Sequence, residues 1–538
     1  MKKIEHQHAK KRGKFTFRKL ILYIFLFWVG SSALSLLLIS DSKASNRLVG
    51  LLFIGFICFV VWKLVKKLRG VKMPNSLSNV IPPSNQEQAL NLKLNNSVDI
   101  ENPYAGVFIS GGAGAGKSKS IIEPIIYDAG RKGFTGVVYD FKFPELAQYV
   151  NTAYKNSNVK PYFINFSDLN RSNRINPIAP ELMINDSFAR EFAYSILANL
   201  NPSMISKPDF WSDNATALLA STFWYLRKRQ PQYCTLPHAM SMILQPNLEA
   251  LLRTLSDEPK CADMIAPILT AFANGADNQL AGVISSLQVS LSKINTEEVY
   301  YITSASDFSL SLNDISSKGI LVIGNNPILA STYSPVIGLI LTSISKMLNQ
   351  QGKEKSLFML DEFPTVFVPN VEQLPATARS NKVATVLACQ DIAQMIDKYG
   401  KDKTDTILSN LGNQFYGRTT NPTTAQRVSQ MFGKSDKLME TQSDNYDRTL
   451  VMGDRRKGSG KSYAYQERDL VKIQDVATLP TGSFYTILSE GKNRQGLASI
   501  PLNSSFGKTP ISQFNNVTST DLDAVFDRIK RETELILK

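Results

Sequence analysis

Short apolar runs closed by Gly, Asn, Asp or Pro recur through the larger part of the chain. "AGVFIS", "TGVVYDF", "PYFINF", "GILVIGNN", "SLFMLDEF", "KVATVLACQ", "NQFYGRTT" and "SFYTILSEG" are rich in β-branched and aromatic residues. Longer stretches with helical spacing lie between them, so the order predicts a parallel sheet with crossover helices, an α/β fold. From Glu181 to Leu312 the strand-like runs stop. "DFWSDNATALLASTFWYLRKRQ" and "DNQLAGVISSLQVSLSKI" carry helical periods, predicting an all-α domain (181–312) inserted into the α/β one. The tail "STDLDAVFDRIKRETELILK" reads as a capped amphipathic helix, and "DRRKGSGKSYAYQER" (Asp454 to Arg468) reads as a basic Gly/Ser loop.

Two apolar runs near the start differ in length. Leu20 to Ser40 and Leu48 to Val65 each approach the roughly 20 residues that cross a bilayer. Eight Lys or Arg precede the first run, two lie in the connector "DSKASNR", and five lie at or after the end of the second. That asymmetry predicts a two-helix transmembrane hairpin with both ends in the cytoplasm. The second run directly behind the first argues against a cleaved signal peptide. The expected location is the inner (cytoplasmic) membrane, multi-pass, with most of the chain in the cytoplasm.

Charge changes the picture only once it is located. Residues 1–72 carry 15 of the 60 Lys and Arg and 2 of the 46 Asp and Glu, hence +13 of the net +14. Beyond residue 72 the chain is balanced, so overall basicity is no argument for nucleic acid. Cys58, Cys234, Cys261 and Cys389 show no paired spacing, and His6, His8 and His238 no ligand pattern. Neither a disulfide framework nor a zinc site is expected.

Between the first strand and the helix after it stands "SGGAGAGKSKS" (Ser110 to Ser120). Gly111, Gly116, Lys117 and Ser118 fit the pattern G-x-x-x-x-G-K-[ST], a phosphate-binding loop. Glycines let successive N–H groups turn inward, and the helix start adds its positive end. The segment Gly111, Gly112, Ala113, Gly114, Ala115, Gly116, Lys117, Ser118 and Lys119 is therefore expected to cradle ATP. Lys117 would reach the β and γ phosphates and Ser118 would ligate Mg2+. Pro124, early in the helix, is expected to kink it.

Such a site needs an acid at the end of another strand. Asp361 and Glu362 close "SLFMLDE" and supply two roles: Asp361 holds the metal and Glu362 polarises the attacking water. Asp140, ending "TGVVYD", serves either as a second acid of the site or as a helix cap. The domains expected on this reading are a membrane anchor (1–72), a linker (73–96), a nucleotide-binding domain in two parts (97–180 and 313–503) around the all-α insertion, and a helical tail (504–538).

With the loop, "YDFKFPEL", "FMLDEFPTV" and "LPATARSNKVATVLACQD" together, the chain resembles the type IV secretion coupling proteins of the TraG and TraD group over nearly its whole length. The resemblance implies a RecA-like P-loop ATPase domain in a membrane-anchored hexamer that brings DNA to a conjugation channel. It makes Gln390 a sensor of the γ-phosphate and Arg379 an arginine finger reaching a neighbouring subunit's nucleotide. Arg418, in "FYGRTT", is a rival finger. The connector between the membrane runs is shorter than the family's periplasmic loop, and Lys142 and Glu145 match the family's lysine-glycine-glutamate only loosely. Implied partners are relaxase-bound single-stranded DNA, secretion channel components, the lipid bilayer and further copies of the chain. DNA contacts are sought among Arg455, Arg456, Lys457 and Lys461, and among Arg227, Lys228 and Arg229, against the alternative of solvated surface. The expected function is an ATP hydrolase that couples such a substrate to the channel. An FtsK-like duplex translocase and a non-hydrolysing docking receptor are the alternatives.

Overall fold

The computed structural model describes residues 90, 98–446, 457–491, 494–502 and 506–538. Both predicted membrane runs and nearly all of the linker lie outside them. Among the described residues no helix is long and apolar enough to cross a membrane.

Among the described residues eleven strands form: β1 (Val107–Ser110), β2 (Thr135–Asp140), β3 (Lys160–Ile164), β4 (Gly319–Gly324), β5 (Ser356–Leu360), β6 (Val383–Cys389), β7 (Asn413–Tyr416), β8 (Lys434–Tyr446), β9 (Lys457–Asp469), β10 (Ser483–Ile487) and β11 (Gln495–Ser499). Nine of them make one sheet in the order β11-β10-β7-β1-β6-β5-β2-β4-β3. The run from β7 to β3 is parallel, and β10 and β11 extend it antiparallel. All eight apolar runs singled out above are strands of this sheet.

Their unbroken apolar character has a direct cause. Val107 and Ile109 of β1, with Leu357 and Met359 of β5, face one core; the intervening Phe108, Phe358 and Leu360 face the other. Ile121, Ile125 and Ile126, from the helix after β1, join the first core, and the helices between β3 and β4 fill much of the second. A strand buried on both sides has no polar face to alternate. Close backbone approach adds one constraint, because a β-carbon on Gly136 (φ +117) would stand 2.1 Å from the Leu357 carbonyl oxygen. Glycine is what lets β2 lie against β5.

From Asp186 to Thr303 the chain runs through helices with no strand, including Asp186–Leu200, Phe210–Arg229 and Leu236–Ile243. The terminal helix Ser519–Ile536, capped by Thr518, packs Ile529 and Ile536 into the same core. The loop reading of Asp454 to Arg468 is corrected over its described part. Lys457–Asp469 is a full strand paired with Lys434–Tyr446 in a separate two-stranded ribbon. The alternation Ser462, Tyr463, Ala464, Tyr465, Gln466 is a strand signal that Gly458 and Gly460 obscured.

Candidate functional site

All parallel strands end on one edge of the sheet, and the predicted loop begins there. Pairing of Ser110 with Cys389 and with Tyr416 sets the loop between the ends of β6 and β7. Three of its N–H groups are already used: Gly111 donates to Cys389 O (3.3 Å), Gly112 to Arg418 O (2.7 Å) and Ala115 to Gly112 O (3.1 Å). Those of Gly114, Gly116, Lys117 and Ser118 have no partner among the described residues. Gly114 (φ 75) and Gly116 (φ 99) take backbone conformations that favour glycine. The result is a turn with several donors free, which suits an anion. Beyond it the helix opens with a π turn, Ser118–Ile122, in which Glu123 N donates to Ser118 O. Pro124 has no N–H to offer the Ser120 carbonyl, so the ladder is re-registered there rather than simply kinked.

Lys117 and Glu362, at the ends of different sheet regions, meet. Lys117 Nζ lies 3.8 Å from Glu362 Oε1, and both side chains are 9% exposed. At 3.8 Å the pair attracts without a hydrogen bond. Lys117 donates to the Gly111 carbonyl, which leaves it further donors. Glu362 is held at φ 51, ψ 51, a left-handed conformation uncommon outside glycine. Backbone strain at that turn aims its carboxylate back toward the loop. Asp361, next to it, is pushed up to about 7 by burial and by the neighbouring Glu362 carboxylate, against the pull of Lys117. Gln390 follows β6 half-buried, its carbonyl 3.5 Å from Ser110 Oγ. A hydroxyl (Ser118) and carboxylates (Asp361, Glu362) are all-oxygen donors, the set a hard divalent cation such as Mg2+ takes. Ala113 and Lys119 are exposed on the rim.

Arg379 is elsewhere. It caps the helix Leu374–Ala378 four residues before β6, and Nη2 lies 3.7 Å from Glu490 Oε1. Asn102, which precedes β1, also bonds Glu490, so this cluster sits on the sheet edge where the parallel strands begin. The seven residues of β6 span roughly 23 Å at about 3.3 Å each. Arg379 therefore cannot reach its own chain's loop.

Asp140 acts as a cap. Its Oδ2 accepts from the N–H groups of Leu146 (2.8 Å) and Ala147 (3.0 Å), in the first turn of Glu145–Ala153, while Oδ1 has no partner among the described residues. Burial pushes its carboxyl up to about 7, the two N–H bonds opposing and the Asp361 charge adding. In the unfolded chain the same group ionises near 3.9. Between roughly pH 4 and pH 7 the folded chain keeps a proton the unfolded chain has lost, so this group's contribution to stability falls as pH rises through that window. Asp140→Asn should accordingly raise stability at pH 8 by about 1–3 kcal/mol and change little near pH 4, as read by thermal unfolding at both pH values.

Other residues at the loop carry no sequence motif. Thr481 Oγ1 donates to Gly114 O (3.0 Å), Gly482 N to Ala115 O (3.0 Å) and Ser120 Oγ to Ile500 O (3.0 Å). The segment around β10 and β11 thus braces the turn from the C-terminal side. The basic clusters sought for DNA are locally occupied: Arg229 pairs with Glu258 (2.8 Å), Lys461 with Glu440 (2.5 Å), and Arg227 and Lys228 lie over the Trp224 ring. Arg455 and Arg456 lie outside the described residues. In the aromatic helix Phe210–Arg229, Phe223, Trp224 and Tyr225 are buried, whereas Phe210 and Trp211 are 55% and 41% exposed.

No curated protein matches the chain by sequence. Among solved structures it is similar to the bacterial conjugative coupling protein TrwBdeltaN70 in its unbound monoclinic form, at TM-score 0.59 and 16% identity, over 77% of this chain and 90% of that one. It is also similar to the plasmid coupling protein TrwB in complex with ADP and Mg2+, at TM-score 0.57 and 16% identity, over 76% and 87%. At that identity the likeness establishes the fold. The model of the family described as "Type IV secretory system Conjugative DNA transfer" matches residues 67–492, and with an α/β fold and a glycine turn facing Glu362, the chain belongs to that family.

Proposed function

We propose that this chain is a membrane-anchored ATPase that couples relaxase-bound single-stranded DNA to a conjugative type IV secretion channel and drives it by hydrolysis. The observation that carries the reading is the Lys117–Glu362 approach at 3.8 Å across the strand ends, with unbonded loop N–H groups beside it. Lys117 and the loop amides bind the triphosphate, Glu362 takes a proton from the attacking water, and Gln390 orients that water or reads the γ-phosphate. Ser118 and Asp361 would hold Mg2+, which would neutralise phosphate charge. The structures of TrwB with ADP and Mg2+ and with a non-hydrolysable ATP analogue support a nucleotide on this fold.

The position of Arg379 supports a shared site. An arginine barred from its own loop serves as a finger only for a neighbouring copy, which calls for a ring, a hexamer on the family resemblance. Nucleotide between Lys117 and the neighbour's Arg379 closes the junction, and hydrolysis opens it. The anchor is the apolar pair 20–40 and 48–65 in the inner membrane. The test is ATP turnover by the purified full-length chain with and without single-stranded DNA. At least a several-fold stimulation is expected; turnover that never exceeds background would leave only a docking receptor.

A further inference from the structure

Arg418 follows β7, the parallel neighbour of β1, and the register carries it to the glycine turn of the same chain. Gly417 N donates to Ser110 O and Gly112 N to Arg418 O, both at 2.7 Å. With its backbone pinned there, the half-buried side chain reaches over the turn. Its Nη2 lies 3.6 Å from where a β-carbon on Gly114 would stand. Among the described residues it forms no ion pair: Glu362 is taken by Lys117, and Arg427 nearby pairs with Asp405. A guanidinium offers five donors in a planar fork suited to phosphate oxygens. Leaving it without an acid partner beside unbonded loop amides is a poor use of a charge unless an anion arrives.

We propose that Arg418 is a second phosphate-binding arginine, supplied in cis, which contacts the terminal phosphate of the nucleotide bound by its own chain's loop. This rests on the nucleotide reading above and divides the two arginines by topology. Arg418 ends a strand at the loop edge and serves its own site. Arg379 precedes a strand at the far edge and serves a neighbour's. A contact with the terminal phosphate, absent from ADP, makes the guanidinium discriminate ATP from ADP.

The experiment uses full-length chains in detergent. Arg418→Ala should lower ATP turnover by about 100-fold or more and weaken ATP binding at least tenfold, while ADP binding changes less than threefold. Arg418→Lys, keeping a charge without the fork, should recover part of the ATP preference. Unchanged turnover in Arg418→Ala, or equal losses for ATP and ADP, overturns the proposal. Mixing separates cis from trans. Lys117→Ala subunits mixed with Arg379→Ala subunits regain turnover, because an intact loop then meets an intact finger at some junctions. Lys117→Ala mixed with Arg418→Ala does not, since each chain has spoiled its own site. Recovery in the second mixture would make Arg418 a trans residue and refute the assignment. Failure of the first mixture alone counts against the shared junction, and Arg418 then stands or falls on its ATP-over-ADP loss. Retained turnover in Lys117→Ala by itself would reject the nucleotide reading and this proposal with it.

Discussion

Lys117→Ala is expected to abolish ATP turnover, by about three orders of magnitude or more, and to weaken nucleotide binding by about 10–100-fold. The size follows from what surrounds the ammonium. Lys117 is 8% exposed, and its nearest charge is Glu362 at 3.8 Å, where opposite charges attract by about 4 kcal/mol at an effective dielectric near 20. Removing the ammonium does more than delete one phosphate contact. It leaves a buried carboxylate unneutralised and facing the phosphates, so repulsion is added to the lost attraction. The double variant Lys117→Ala/Glu362→Gln should therefore bind nucleotide more tightly than Lys117→Ala while remaining inactive. Fluorescent-nucleotide titration beside turnover checks both, and a single variant that still hydrolyses ATP would remove the loop from the mechanism.

Glu362→Gln separates binding from chemistry. The amide keeps the size of the side chain and a hydrogen-bonding oxygen at the turn but cannot take a proton from water, so turnover should fall by about 10²–10⁴-fold. Affinity for ATP should hold or rise, because Lys117 loses its competing carboxylate and its full charge turns to the phosphate. The left-handed backbone at φ 51 suits glutamine no worse than glutamate, so any loss of stability comes from the buried Lys117 ammonium left without its carboxylate. The outcome that would count against the general-base role is equal loss of binding and turnover, which would make Glu362 a structural counter-ion of Lys117.

Legibility in the sequence depended on distance along the chain. The glycine turn, the strand-end acids Asp361 and Glu362, the eight sheet strands, the helical stretch after β3 and the capped terminal helix were readable. Each is local: a few residues fix glycine geometry, a cap or an apolar period, and the local backbone then has little choice. Where local signals competed, reading failed. Gly458 and Gly460 masked the Tyr463 and Tyr465 alternation, and β9 was taken for a loop.

What the tertiary structure decided was which strand ends are neighbours. Arg379 and Arg418 look alike as arginines beside strands, yet one stands at the far edge of the sheet and the other over the glycine turn. The strand order β7-β1-β6-β5-β2 and the parallel registers make that difference, and both arise from long-range pairing, which no window of sequence encodes. The same holds for Asp140, whose identity as a cap depended on the turn after it folding back, and for Thr481 and Ile500, which reach the turn only because β10 and β11 close the sheet beside it. The sequence by itself determined the chemistry available; the pairing of strands determined which groups gather at the glycine turn and which face away from it.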